Sequence, residues 1–120
     1  MSVILDTGIE TFIIEKEWGQ AYILVNSHGF RGHNRFCFVQ DGVCEAFVAG
    51  LNALNRLELG SCKLTDYDSD SFIIVESVEK GKLIISGQLG GTHRDHYFHF
   101  KFNSDQTILK PLIGAMMEFL

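Results

Sequence analysis

Residues 43–58, VCEAFVAGLNALNRLE, set the fold class because they interrupt a chain that otherwise alternates like short β-strands. Apolar side chains recur in this stretch at intervals of three and four residues: Val43, Phe47, Leu51, Leu54 and Leu57. Such spacing places the side chains along one face of an α-helix. The sequence therefore predicts a central helix near 43–58, with Gly60 just beyond its end as a stop signal.

Strands are predicted on both sides of this helix. Residues 11–27 read as a hairpin around Trp18-Gly19, and residues 72–89 read as a second hairpin around Lys80-Gly81. Both stretches are rich in β-branched and aromatic residues, and each has a glycine available for the turn. Residues 35–40, RFCFVQ, read as another strand, and residues 2–6 and 62–67 are weaker strand candidates.

The carboxy-terminal stretch returns to a helical pattern. One broad apolar face is formed by Ile108, Leu109, Leu112, Ile113, Met116 and Phe119. We therefore expect a second helix near 107–119, with Pro111 within its first turn, where a missing N–H costs least. Strands interrupted by two helices are typical of an α+β fold. The sequence predicts one α+β domain over residues 1–120, mainly an antiparallel sheet of six to eight strands, with no evident internal repeat.

Three histidines spaced three residues apart raise the question of a metal site. Residues 94–103 alternate with a period of two, which predicts a strand whose phenylalanines face the core. A step of three residues on a strand sends His96 and His99 to opposite faces of the sheet. His93 and His99 share a side but stand about 20 Å apart along the strand, at ~3.3 Å per residue. We therefore expect His99 to face solvent and His96 to mark the polar end of the strand.

Other motifs that resemble chemical sites are incomplete. Residues 66–70, DYDSD, match the start of a calcium loop, but Ser71 and Ser77 stand where the loop needs glycine and glutamate. Residues 29–32, GFRG, have the spacing of a nucleic-acid clamp, but they lie in a predicted connection between strands, which we expect to be exposed. No nucleophile motif is present. We expect no enzyme activity, no metal and no cofactor.

Composition narrows the class of partner. Fifteen acidic and ten basic residues leave a net charge of −5, which disfavours direct nucleic-acid binding, since that needs lysine and arginine to displace counterions. No signal peptide or bilayer-length apolar run is evident, so we expect a cytoplasmic protein without a membrane partner. The three cysteines lack the spacing of a zinc site, and we expect reduced thiols, at least two of them buried.

The second half of the chain resembles the small bacterial immunity proteins of the WapI type, which accompany polymorphic and contact-dependent growth-inhibition toxins. The resemblance covers roughly residues 36–120. It rests on the order of elements and on the pattern of GKLIISGQL at 81–89 followed by DQTIL at 105–109. It implies a non-enzymatic protein that binds the carboxy-terminal domain of a cognate toxin stoichiometrically. Since such toxins include nucleases with basic surfaces, an acidic inhibitor would associate with them quickly.

Two surfaces are candidates for the toxin contact. The first is the acidic turn with an aromatic residue at its centre: Asp66, Tyr67, Asp68 and Asp70. The second is the first hairpin tip: Glu15, Glu17 and Trp18. Tyrosine and tryptophan are enriched among interface hot spots, and charged rims steer association. For each surface, the competing interpretation is a solvated turn, or a tryptophan folded onto the core.

Two other functions remain open on the sequence. One is an adaptor or homodimer built on an exposed sheet or on the terminal helix, whose Met116, Met117, Phe119 and Leu120 offer an adaptable apolar surface. The other is a small-ligand binder or enzyme with a pocket lined by phenylalanines and His96. The oligomeric state is not predicted.

Overall fold

The computed structural model describes residues 2–38, 42–91 and 96–120. The first half of the described chain contains four strands and one helix: β1 Ser2–Asp6, β2 Glu10–Glu17, β3 Gln20–Ser27, β4 Phe30–Phe36 and α1 Val43–Asn55. The second half repeats that order: β5 Gly60–Thr65, β6 Phe72–Glu79, β7 Lys82–Gly90, β8 Tyr97–Asp105 and α2 Leu109–Met117, with a 3₁₀ turn at Gln106–Ile108 before α2. The predicted α+β class is confirmed.

Each half is an antiparallel meander, with sheet orders β1-β2-β3-β4 and β5-β6-β7-β8. The two sheets meet where β4 contacts β7 and β8, and where β3 contacts β8. The helices cross over between the halves, because α1 packs against β5 while α2 packs against β1 and α1. The architecture therefore repeats even though no repeat is evident in the sequence.

A single hydrophobic core joins both sheets and both helices. Its fully buried large side chains include Phe12, Phe36, Phe47, Leu64, Ile85 and Leu112. Gly32 brings β4 close to β8, since an added Cβ there would stand 2.6 Å from the ring of Phe98. Gly32, the second glycine of the GFRG motif, is thus needed for packing between the sheets.

The central helix is three residues shorter than predicted. It ends at Asn55, and Leu57 adopts a left-handed conformation with φ 66°. The Leu57 N–H donates to the Leu54 carbonyl and the Glu58 N–H donates to the Ala53 carbonyl, at 3.0 and 3.3 Å. These two bonds form a Schellman ending, in which glycine is the usual left-handed residue. Leu57 consequently leaves the apolar face and is exposed.

The fourth strand lies earlier than predicted. Expected at 35–40, it runs over Phe30–Phe36, and residues 39 and 40 lie outside the described part of the chain. The GFRG stretch was predicted as a connection, but all of it except Gly29 belongs to β4, while Phe30 and Arg31 are exposed as expected. His28 and Gly29 make a two-residue turn with φ 52° and 85°, after which pairing with β3 begins at once. Histidine tolerates positive φ less well than glycine, which hid this turn from the sequence pattern.

The DQT segment of the family resemblance joins the two helices. Asp105 Oδ1 accepts hydrogen bonds from the N–H of Thr107 at 2.9 Å and from its hydroxyl, and thereby caps the turn that leads into α2. These two bonds lower the pKa of the Asp105 carboxyl. Gln106 Nε2 donates to the carbonyl of Leu54 in the last turn of α1, at 3.2 Å. The DQT segment is therefore a structural element, which starts one helix and ties it to the end of the other.

Candidate functional site

The regularly spaced histidines do not assemble into a site among the described residues. His93 lies outside the described residues, and β8 begins at Tyr97, just after His96. His99 is exposed as predicted, with its Nε2 2.5 Å from Oε1 of Gln88. In the described ranges, no three His, Cys, Asp or Glu side chains are placed to hold a metal ion.

The acidic turn is divided between the interior and the surface. Asp66, predicted as part of an exposed cluster, is only 7% exposed. Its Oδ1 accepts the backbone N–H groups of Cys37 and Asp68, at 2.8 and 3.2 Å. Its Oδ2 accepts the hydroxyl of Ser69 at 2.6 Å and lies 3.4 Å from Nδ2 of Asn34. A buried carboxylate needs such donors, and Asp66 obtains them from both halves of the molecule.

We call this arrangement the Asp66 clamp: Asn34, Cys37, Asp66, Ser69, Ser71 and Gly90. Asn34 Nδ2 on β4 donates to the Ser71 hydroxyl at 2.8 Å, and the same hydroxyl accepts the N–H of Gly90 at the end of β7, also at 2.8 Å. The clamp thus ties the edge of the first sheet to the turn and strand of the second. With only 7% of its surface exposed and its donors drawn from both halves, Asp66 holds the two sheets together.

The remaining members of the acidic turn lie on the surface. Tyr67 is 61% exposed, and Asp68 and Asp70 are exposed as well. The Tyr67 backbone N–H donates to the Cys37 carbonyl at 3.0 Å, so the clamp also positions this tyrosine. An exposed aromatic ring on a fixed backbone, beside two carboxylates, has the chemistry of a contact residue.

A polar cleft of about 360 Å³ opens beside the clamp. It is lined by Asn34, Arg35, Asp66, Asp68, Ser69, Gly90, Gly91 and His96. His96 is exposed at its rim.

His96 also lines a second pocket, of about 270 Å³, together with Leu89, Tyr97 and Phe98. A groove of about 420 Å³ that shares Phe98 is lined by Phe30, Phe100 and His99. The expected phenylalanine-lined pocket is therefore present in part, with a single phenylalanine beside His96.

The first hairpin tip places Trp18 entirely in solvent. Trp18 is 101% exposed, and the competing interpretation that it folds onto the core is wrong. Trp18 and Gly19 form the two-residue turn with φ 52° and 81°. Positive φ at a bulky residue costs of the order of 1 kcal/mol, and Asn or Gly is the usual occupant of such a turn.

The base of the first hairpin is fixed on two sides. Arg35 Nε on β4 donates to Oε1 of Glu17 at 3.0 Å, and its guanidinium stands 5.4 Å from the ring centroid of Tyr22. Lys16 Nζ donates to the carbonyl of Glu118 at 2.9 Å, beside the ring of Phe119. Because both contacts reach other elements, the tip is held in place and Trp18 is presented from a firm base.

The two predicted surfaces adjoin through Arg35. Its side chain binds Glu17 of the hairpin, and Arg35 is also among the residues that line the polar cleft, as Asp68 is. The two clusters are far apart in the sequence, and only the tertiary structure shows that β4 lies next to both of them. We call the members of both clusters that reach the surface the Trp18 surface: Trp18, Glu15, Glu17, Tyr67, Asp68 and Asp70.

Sequence reasoning missed a groove on the other side of the hairpin. It has a volume of about 230 Å³ and is lined by Lys16, Gly19, Phe38, Glu118, Phe119 and Leu120. The ring of Phe119 packs edge-on against Phe38, with 5.5 Å between centroids. The adaptable methionine surface predicted for α2 is only half right, because Met116 is fully buried and Met117 is 55% exposed.

The cysteines are built into the core. Cys44 and Cys62 are buried and Cys37 is half-buried, as predicted for free thiols. Burial raises the pKa of Cys44 to about 11, with a smaller contribution from Glu45, and burial alone raises the pKa of Cys62 to about 11. Both thiols are therefore protonated at neutral pH, which makes them poor nucleophiles.

Comparison with protein-family models, with curated proteins and with solved structures finds no match to this chain. Within the described ranges, neither helix is long and apolar enough to span a membrane. Function is therefore inferred from the geometry of the surface.

Proposed function

We propose that this chain is an immunity protein, which neutralises a bacterial toxin domain by stoichiometric binding through the Trp18 surface. The family resemblance of residues 36–120 names the class of partner. The fully exposed Trp18 is the observation that supports binding most strongly. The amino-terminal hairpin lies outside the resemblance, so it is the part that would carry specificity for one toxin.

Trp18 supports the proposal because neither burial nor backbone conformation favours a tryptophan at this position. An indole in water loses the stabilisation of burial, and a left-handed backbone disfavours a bulky side chain. A residue that is unfavourable on both counts for folding is explained when its ring is buried by a partner. Tryptophan is among the residues most enriched in the centres of protein interfaces.

The charges around Trp18 favour a basic partner. Glu15 and Glu17 lie near the tip, Glu17 is bound to Arg35, and Arg35 and Asp68 both line the polar cleft. The chain as a whole carries a net charge of −5. Such a field accelerates encounter with a positively charged surface, and this acceleration weakens as salt is added. A toxin nuclease domain that binds nucleic acid through lysine and arginine has the required charge.

A survival experiment tests the proposal directly. The gene immediately upstream is sequenced, and if it encodes a candidate toxin, the carboxy-terminal domain of that product is expressed in a bacterial host with the wild-type chain, with Trp18→Ala or with Val78→Ala. Val78 is 54% exposed and lies near the β6–β7 hairpin tip in the other half, so it is a matched control. We expect wild type and Val78→Ala to protect the host, and Trp18→Ala to protect poorly. Death of the host with the wild-type chain contradicts the proposal.

A further inference from the structure

Two adjoining pockets follow the edge of β8 over the first half of the strand. The pocket of about 270 Å³ and the groove of about 420 Å³ share Phe98, and together they are lined by the consecutive residues His96, Tyr97, Phe98, His99, Phe100 and Lys101. Consecutive side chains of a strand point to opposite faces of its sheet. A cavity that reaches all of these residues therefore lies along the edge of the strand. We call it the β8 edge groove.

The edge of β8 that faces the groove is unpaired in the described part of the chain. There β8 pairs with β7 alone, and its nine residues keep an unbroken register. Sheet edges are usually protected by short strands, bulges or proline. In contrast, β1 has five residues and an irregular register, and β5 packs against α1. Since β8 has neither a bulge nor a proline, its outward N–H and C=O groups remain able to pair with another strand.

The start of β4 forms the opposite wall of the groove. Phe30, which directly follows the β3–β4 turn, is 70% exposed and lines the larger pocket. Gly32 lies against the ring of Phe98, which stacks on Phe100 with 5.9 Å between centroids. This close approach holds β4 beside β8. The wall thus offers aromatic surface next to an unpaired strand edge, and such pockets hold alternate side chains of a bound extended peptide.

The rim of the groove is basic. Arg31 lines the smaller pocket and Lys101 the larger one, and both are exposed. Neither forms an ion pair within the described residues, because their strand partners are the neutral Asn26 and Ser86. No carboxylate is among the described residues that line the two pockets, and Glu10 lies outside them, 3.5 Å from Nε2 of His28. The groove therefore contrasts with a chain whose net charge is −5.

We propose that the β8 edge groove binds an extended acidic segment of a protein partner, which adds a fifth strand to the second sheet beside β8. Main-chain hydrogen bonds along the edge supply affinity, and alternate side chains meet the aromatic wall and the cations. Six residues at ~3.3 Å each span about 20 Å, so a segment of about that length fills the groove. A second copy of β8 is disfavoured, since it would bring Lys101 near the cations of the first copy.

The groove is distinct from the Trp18 surface. Trp18 stands in the β2–β3 turn, whereas the groove begins at the β3–β4 turn, at the opposite end of β3. The eight residues of β3 separate the two turns by about 26 Å at ~3.3 Å each. Binding of an acidic segment to β8 therefore does not depend on the proposed toxin contact.

A peptide titration tests the strand addition. The probe is a fluorescein-labelled synthetic peptide of about eight residues in which aspartate alternates with valine, and fluorescence anisotropy follows its binding to the wild-type chain. We expect saturable binding with a Kd below about 1 mM. Two further peptides carry methyl groups on every second backbone nitrogen, in the two alternate phases, so that each loses the N–H donors of one edge. We expect one of them to bind at least ~10-fold more weakly and the other to bind as the parent does.

Matched variants locate the binding site. Lys101→Glu and Arg31→Glu are each expected to weaken binding of the unmethylated peptide at least ~10-fold, because they oppose its carboxylates. Lys110→Glu makes the same change at an exposed position of α2 and should leave the affinity within about twofold of wild type. Circular dichroism confirms that each variant is folded, and alanine replaces glutamate in any variant that unfolds. Trp18→Ala should bind the peptide as the wild-type chain does.

Several results would overturn the inference. They are absence of saturable binding at about 1 mM peptide, equal affinities of the two methylated peptides, and an equal loss in Lys110→Glu and Lys101→Glu. Tighter binding of an oligothymidylate of about ten nucleotides would also overturn it and assign the groove to single-stranded nucleic acid. Loss of peptide binding in Trp18→Ala would place the peptide on the Trp18 surface instead.

Discussion

The two halves of this molecule share one order of elements and use their turns differently. The first turn of the first half is a short exposed loop, in which Asp6 Oδ1 accepts the N–H of Gly8 at 3.0 Å. The matching turn of the second half contains Asp66, whose carboxylate is buried by donors from both halves. One aspartate shapes a local turn, and the other holds two sheets together.

The second turns show the reverse distribution. In the second half, the β6–β7 tip is flanked by an ordinary surface ion pair between Glu79 and Lys82, at 3.3 Å. In the first half, the β2–β3 tip presents Trp18 fully to solvent in a left-handed turn. Because the two tips occupy equivalent places, the fold alone does not require a tryptophan there. The second half therefore supplies the buried Asp66 that ties the sheets together, whereas the first half supplies Trp18, the central residue of the proposed contact surface.

The largest expected effect comes from breaking the clamp. Asp66→Ala removes a carboxylate that satisfies several buried donors, among them the N–H of Cys37. We expect the free energy of unfolding to fall by about 3 kcal/mol, since bonds to buried charged groups are the costliest to lose. Asp6→Ala, in the equivalent turn, should cost less than about 1 kcal/mol. Urea denaturation of the two variants measures the difference, and equal losses would contradict it.

The next effect concerns the contact between the sheets. Gly32→Ala adds a Cβ that would stand 2.6 Å from Phe98, and we expect about 2 kcal/mol of destabilisation from the forced shift. Gly114→Ala is the matched control, because nothing lies within 4 Å of an added Cβ in α2. That control should be neutral or stabilise the protein by up to ~1 kcal/mol, as alanine favours helices. If both variants melt at the wild-type temperature, the close approach of β4 to β8 is incorrect.

A smaller effect distinguishes the two helices. The turn into α2 is capped by Asp105, whereas α1 begins after Gly42 without a side-chain cap. Asp105→Ala should cost about 1 kcal/mol at pH 7. The lowered pKa means that this stability is present above the usual carboxyl pKa and is lost as pH falls through the folded value. The difference in stability between Asp105→Ala and wild type should therefore be smaller in denaturation curves at pH 2 than in those at pH 7, and an equal difference at both would contradict the cap.

The smallest effect has the opposite sign. Trp18→Asn places a residue that tolerates positive φ in the first hairpin turn, and we expect stability to rise by about 0.5 kcal/mol. The same substitution should weaken partner binding, because it removes the exposed ring. Thermal unfolding by calorimetry measures the first change. A less stable Trp18→Asn variant would show that the indole contributes to folding, and the contrast between the two tips would disappear.

Local patterns in the sequence predicted most of the elements. Apolar spacing located α1 and α2, and glycines marked the turns at Gly19 and Gly81. The misplaced boundaries fall where a residue other than glycine adopts positive φ, as at Leu57 and at His28 before Gly29. Glycine is the usual local sign of a positive φ. No glycine marks Leu57, and in the turn at residues 28–29 a glycine marks only the second position.

The candidate site was only partly predictable, because burial depends on distant residues. Asp66 looked like part of a solvated turn, but its donors Asn34 and Cys37 lie about thirty positions away in the chain. The exposure of Trp18 had no local sign, since a tip tryptophan can also fold inward.

Titration of Trp18 fluorescence with the purified toxin domain tests the central claim most directly. The wild-type chain and Val78→Ala are predicted to bind with equal affinity at one to one, with a change in Trp18 emission as the ring leaves water. Trp18→Ala, followed by calorimetry, is predicted to bind at least ~30-fold more weakly, which corresponds to a hot-spot loss of about 2 kcal/mol. Equal affinities for Trp18→Ala and Val78→Ala would contradict the assignment of Trp18 to the centre of the contact surface.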